Sequence, residues 1–284
     1  LDLGFLNNRL NLTADAYVRD TKGMQTSGKK LPGAYGANEP KQNAANLRTK
    51  GWELMLTWND AFKLANKPFR YNLSVGLADN TSEITKFDNP SKILSDYYVG
   101  QKLGDIWGYV VDGLFRTDEE AANYNVDQTA VNFVINTAQV NPGLHAGDMK
   151  FVDLDGDHTI SSGSNTADDP GDRKIIGNSL PRYTYSIQGG FDWYGFDFSI
   201  YLQGVGHQDW YPGTNSVFFW GPYARPYSSF IPRDFLSQVW SPENPDAYFP
   251  RPIGYLALGN NRSLGVVNDR YLQNLAYCRV KNIT

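Results

Sequence analysis

Apolar and polar residues alternate with a period of two along several stretches of the chain. In Leu10–Asp20, Leu10, Leu12, Ala14, Ala16 and Val18 fall on one face, with Asn11, Thr13, Asp15, Tyr17 and Arg19 on the other. Trp52, Leu54, Leu56 and Trp58 oppose Glu53, Met55 and Thr57. Tyr71, Leu73, Val75 and Leu77 oppose Asn72, Ser74 and Gly76. Arg182–Trp193 and Phe196–Gln203 repeat the pattern with Tyr183, Tyr185, Ile187, Phe191 and Trp193, then Phe196, Phe198, Ile200 and Leu202. Such alternation predicts half-buried strands, because successive side chains of a strand point to opposite faces. Leu272–Thr284 alternates less cleanly, which a bulge would explain.

The connections form a second pattern. Asn7-Asn8 joins Leu1–Leu6 to the next strand, and Tyr194-Gly195 joins the two cleanest strands. Asn59–Pro68 reads as a link of moderate length. Between these lie the long segments Asp20–Asn46, Asn80–Pro181 and Gly206–Arg270. Short turns alternating with long loops are the habit of an up-and-down barrel in an outer membrane. The expected fold is all-β: part of an antiparallel transmembrane barrel, about eight strands in hairpins with long extracellular loops. Aromatics at the strand ends (Trp52, Trp58, Tyr183, Trp193, Phe196) suit interfacial girdles, and mid-strand Asp15, Glu53 and Asp197 suit a wet lumen. The competing reading is a soluble carbohydrate-binding β-sandwich, which also alternates but covers its apolar face with a second sheet. The two differ in a testable way: the barrel needs detergent, the sandwich does not.

Composition narrows the function. The 284 residues include 18 Tyr, 15 Phe and 7 Trp, a β-rich composition. A net charge of −4 argues against a nucleic-acid partner. The single Cys278 excludes an internal disulfide. No phosphate loop, nucleophile elbow or HExxH motif occurs, and Asp15, Glu53, Asp192 and Asp197 fit a lumen lining better than a glycosidase pair. The chain therefore does not read as an enzyme. It starts and stops inside alternating patterns and is expected to be part of a longer protein.

Several blocks, in order, resemble the SusC/RagA family of TonB-dependent outer-membrane transporters. They are DAYVRDTKGM (15–24), NLRTKGWELML (46–56), NLSVGLADNTSEITK (72–86), GDIWGYVVDGLFRTDEE (104–120) and GDMKFVDLDGDHTI (147–160). Asp172–Gly204, WSPENPDAYFPR (240–251) and YCRVKNIT (277–284) follow. Each block is weak alone; their order over nearly the whole chain makes the match. The resemblance implies that residues 1–284 form part of one receptor barrel of 22 strands, without its plug domain and last strands. It also implies import of a glycan or peptide at the outer membrane, beneath a SusD-like surface lipoprotein, with the TonB complex acting through the absent N-terminal part.

Two local features carry candidate chemistry. Asp153, Asp155, Asp157 and the Thr159 carbonyl have the spacing of a calcium loop, although His158 stands where such a loop uses Gly. Aligned with the family, Asp172 takes the closing role after an insertion, in competition with Asp168 and Asp169. The functional reading is a structural Ca²⁺; the bland one is a solvated acidic turn. The aromatic run from His207 to Tyr227 offers Trp210, Tyr211, Phe219, Trp220 and Tyr223 as faces for a substrate, or equally as packing. Thr117 before Asp118-Glu119-Glu120 predicts one short capped helix.

Overall fold

The computed structural model describes all residues except 28–35, 37–39, 132–142, 225–230, 254, 260 and 261. Seven strands form one antiparallel sheet: β1 (Asp2–Phe5), β2 (Leu10–Ser27), β3 (Lys41–Leu64), β4 (Lys67–Lys86), β9 (Arg182–Trp193), β10 (Phe196–His207) and β13 (Tyr277–Ile283). They lie in sequence order, each beside the next. Among the described residues this sheet is open and has seven strands, in keeping with the expectation of about eight.

The turns are tight and share one end of the sheet. Ala65-Asn66 and Tyr194-Gly195 each form a two-residue turn with positive φ at both positions, the conformation that matches strand twist. The link expected over Asn59–Pro68 is therefore mostly strand, with Asn59 paired to Asn72 and Leu64 to Lys67. Asn59-Asp60 has turn-forming chemistry, but its backbone groups are taken up by the neighbouring strands. At β13, Tyr201 faces Asn282 while Leu202 faces Val280, so Lys281 is the extra residue of a bulge.

Register merges the separate apolar stripes into one surface. Leu12, Leu56, Val75, Ile187 and Leu202 lie in one cross-strand row ending at Val280. Leu10, Trp58, Leu73, Gly189, Ile200 and Ile283 form the next. Leu3, Phe5, Leu54, Leu56, Leu73, Leu77, Phe191, Phe198 and Val280 of this face are all exposed. Among the described residues no second sheet covers it. On β3 the apolar face runs through Trp52, Leu54, Leu56 and Trp58, is interrupted by Asp60, which pairs with Arg9, and resumes at Phe62 beside the turn. Trp52 consequently lies mid-strand, at the margin of the apolar stretch rather than at the strand's end. At the turn end, Phe62, Phe69, Phe191 and Phe198 contact in series, with ring centroids 5.0, 5.6 and 5.4 Å apart.

The opposite face is polar. Asp15 pairs across from Glu53, Thr57 Oγ1 lies 3.0 Å from Ser74 Oγ, and Thr49 Oγ1 lies 2.8 Å from Ser82 Oγ. Thr13, Asp15, Glu53, Ser186, Tyr201 and Gln203 line a recess of about 520 Å³.

The hydrophobic core lies elsewhere, within the long connections. These carry short ribbons: β5 (Asp105–Tyr109) with β8 (Arg173–Asn178), β6 (Val111–Leu114) with β7 (Met149–Phe151), and β11 (Asp209–Trp210) with β12 (Gln273–Asn274). Tyr109, Met149, Phe151, Ile160, Trp220, Tyr223, Phe249, Leu264 and Tyr271 pack into one cluster with no member from the seven-stranded sheet. This cap is fastened to the edge of β4 above the point where β9 departs. Ile84 N–H donates to Gln101 O (2.9 Å) and Leu103 N–H to Ser82 O (2.8 Å). Below them, Arg182 grips Asp79 through two bonds of 2.6 Å. The short helix expected after Thr117 is α1 (Asp118–Ala122), with Thr117 Oγ1 accepting from Glu120 N–H at 3.1 Å.

Candidate functional site

The acidic loop folds on itself before it gathers carboxylates. Asp153 accepts from Gly156 N–H (2.7 Å) and His158 N–H (2.9 Å), and Asp155 accepts from Asp157 N–H (3.1 Å). His158 adopts φ +64°, the left-handed conformation for which a calcium loop ordinarily uses Gly. Ile160, two residues on, is fully buried in the cap core and its N–H donates to Asp127 O at 2.7 Å. One carboxylate oxygen from each of Asp153, Asp155 and Asp172 lies within 4.8 Å of the other two. Asp157 is outside that trio, its Oδ1 accepting from Thr159 N–H at 2.7 Å.

Asp172 is the buried member of the trio. It is fully buried, and its two oxygens accept from Leu154 N–H and Ser161 N–H, each at 2.7 Å. Burial pushes its carboxyl above the usual range, the two backbone donors pull it back, and Asp155 and Asp153 push it up further. The competitors are engaged elsewhere: Asp168 bonds Lys92 Nζ (2.7 Å) and Asp169 receives Ser164 N–H (2.9 Å). The donor set is all oxygen, which suits a hard cation.

The aromatic run divides by burial. Trp220 and Tyr223 are core residues: Trp220 Nε1 donates to Gly213 O (3.0 Å) and Tyr223 Oη to Pro250 O (2.6 Å). Phe219 packs on Trp220 at 4.8 Å, and Tyr211 donates to Val266 O at 2.8 Å, both partly buried against the same cluster. Burial raises the phenols of Tyr211 and Tyr223 well above their ordinary values. The packing reading accounts for these four, since large aromatics close together in sequence are the readiest material for a small core. Trp210 alone of the five keeps an open face, at 41 % exposure. Tyr248, 38 % exposed, stands on the same side of the cap. Sequence reasoning missed Tyr248 because it lies in a separate block; only the fold brings it to Gln273, the cross-strand partner of Trp210.

A single antiparallel sheet with one uncovered apolar face, one polar face, tight turns at one end and a packed cap at the other defines a segment of an outer-membrane-type β-barrel. No family model matches the chain. TonB-dependent receptor P39 of Formosa agariphila is 27% identical over 70% of this chain and 20% of its own length. TonB-dependent receptor P3 of the same organism is 24% identical over 100% of this chain and 26% of its own length. The chain thus spans about a quarter of these relatives. Among solved structures, a chain of the RagAB peptide transporter superposes with a TM-score of 0.63 at 18% identity, covering 99% of this chain and 27% of that one. The RagAB peptide importer in its open-open state matches equally, at a TM-score of 0.63. The sequence blocks, these relatives and the shared fold all make the chain similar to a segment of TonB-dependent receptors of the SusC/RagA type. The relatives are receptors and transporters rather than enzymes.

Proposed function

We propose that the complete protein imports an oligosaccharide or peptide across the outer membrane, driven by the TonB complex and partnered by a SusD-like surface lipoprotein. The observation that carries this reading is the continuous, uncovered apolar face set against a polar face on the same strands. Lipid satisfies the first and a water-filled lumen the second. In a soluble β-sandwich the first face would require a covering layer. The test is to express the full-length parent and recover it from outer membranes in mild detergent, identifying co-purifying proteins by mass spectrometry. A lipid-anchored surface protein is expected with it. Recovery in the soluble fraction with no lipoprotein bound would favour the soluble carbohydrate-binding domain instead.

We propose in addition that Asp153, Asp155 and Asp172 hold a structural Ca²⁺ that stiffens the cap. A buried Asp172 beside two further carboxylates is a like-charge arrangement that a divalent cation relieves. Ligand that binds only the folded form stabilises it by about 2.7 kcal/mol at a hundredfold excess over Kd. Calcium is therefore expected to protect the cap of the detergent-purified parent from proteolysis, with chelator reversing the effect. In Asp172→Asn the protection should vanish. Identical proteolysis with calcium and with chelator would leave the loop as a self-capped acidic turn.

A further inference from the structure

Among the described residues of the cap, two partly exposed aromatics, Trp210 and Tyr248, stand beside an open polar cleft. Trp210 and Gln273 face each other across the β11–β12 ribbon. Gln273 Nε2 donates to Tyr248 Oη at 2.9 Å, so a carboxamide is fixed between two exposed aromatic side chains. Tyr248 is held from behind, its ring edge-on to Tyr271 at 5.4 Å and to Phe249 at 4.9 Å. Its backbone is pinned as well, because Arg270 Nε donates to Tyr248 O at 3.0 Å. Beside it lies a shallow, open cleft of about 480 Å³ lined by Tyr248, Arg270, Asp269, Asp246 and Val111. Arg270 is held by two bonds, its Nη2 donating also to Ala247 O (2.5 Å), the two carboxylates by one each, and all three keep further capacity. Asp269 Oδ1 accepts from Val111 N–H (2.9 Å) and Asp246 Oδ1 from Arg116 Nη2 (2.7 Å). A carboxylate has about four acceptor sites and a guanidinium five donors.

We propose that this surface binds a saccharide chain, one ring against Trp210 or Tyr248 and its neighbour in the cleft. This rests on the import reading and deepens it by choosing between its two substrate classes. A pyranose presents an apolar C–H face and an equatorial rim of hydroxyls that both donate and accept. Flat aromatic faces meet the first. The Gln273 Nε2 is occupied by Tyr248 Oη and Tyr271 O, so its carbonyl oxygen, the carboxylates and the remaining guanidinium N–H groups meet the second as acceptors and donors held in place. An extended peptide would instead seek an unpaired strand edge for its main chain. The ribbon here is two residues long on each side and has little edge to give. The position also fits, since Asp209-Trp210 directly follows β10 and Gln273-Asn274 precedes β13 by only two residues, placing the surface at the rim of the barrel wall.

The test uses the full-length parent in detergent and calorimetric titration with short oligosaccharides cut from starch, β-glucan, mannan and fructan, each alone. A size-fractionated casein digest serves as the peptide probe. At least one oligosaccharide is expected to bind. Trp210→Ala and Tyr248→Ala should each weaken it roughly tenfold, the scale of one lost stacking contact. Phe218→Ala, which removes an exposed aromatic that does not line the cleft, should leave it unchanged. Binding of no oligosaccharide, or equal binding by the Trp210 and Tyr248 variants, overturns the assignment. Peptide binding that is lost on Trp210→Ala overturns the saccharide class. A parent that sits in the outer membrane but fails these titrations leaves import standing; one absent from the outer membrane removes both.

Discussion

Replacing Leu56 by Arg is expected to prevent the sheet from assembling in a membrane, whereas Thr57→Arg, one residue along, should be tolerated. Leu56 lies in the middle of the apolar stretch of β3, between Leu12 of β2 and Val75 of β4. Its side chain is exposed, so in a soluble protein a charge there would cost little. At the bilayer midplane the same charge costs about 2–4 kcal/mol, because lipid offers it neither water nor a counter-ion. Thr57 points to the other face, bonded to Ser74 Oγ, where water solvates a guanidinium. The readout is the heat-modifiable mobility of the parent folded into detergent or vesicles. If Leu56→Arg folds as well as Thr57→Arg, the apolar face does not meet lipid.

The second large effect concerns the cap. Trp220→Ala should unfold it while leaving the strands paired. Trp220 is fully buried, packs edge-on against Tyr271 at 5.1 Å, and has its indole N–H bonded to Gly213 O. Truncating a buried Trp costs about 3–5 kcal/mol through lost transfer energy and the cavity left behind. That is a large fraction of the about 5–15 kcal/mol that holds a typical domain folded. Limited proteolysis should cut the variant within residues 87–181 or 207–276 while the folded-barrel mobility persists. Loss of both together would mean that cap and sheet fold as one unit.

These two outcomes follow from features with different visibility in the sequence. The apolar stripes were legible because a strand with one apolar and one polar face must alternate, so Leu54, Leu56 and Trp58 announce a strand without any knowledge of their neighbours. The turn at Tyr194-Gly195 and the cap of α1 were legible because each needs particular residues at particular places. The full length of β3 was not: beyond Trp52 both faces meet water or the cap, and polar residues such as Lys50 or Gln42 fit without a pattern. The Ala65-Asn66 turn was hidden for the same reason, with Asn59-Asp60 offering the more obvious turn chemistry. The carboxylate site was half legible. Asp153 and Asp155 announced themselves by spacing, and Asp172 came from the family resemblance, but the turning away of Asp157 depends on a backbone bond that no spacing reveals. For the aromatic run, composition could not say which rings are inside; Tyr248 and Gln273 reach Trp210 only through contacts between remote blocks.

The location of the packed core also dictates an order of events during biogenesis. Its members come from two connections that are far apart in the chain: Arg251 closes on Asp148, and Asp269 N–H reaches Tyr109 O. Closing such loops in a free chain is entropically costly and slow. Once β4, β9, β10 and β13 are zipped side by side, the ends of both loops are already held at neighbouring points on one rim, and most of that entropy has been spent. Strand pairing is therefore expected to come first and the cap to condense upon it. Between the two stages the unassembled rings of Trp220, Phe249 and Tyr271 would be open to solvent, a vulnerable interval in which a periplasmic or surface chaperone would find its target.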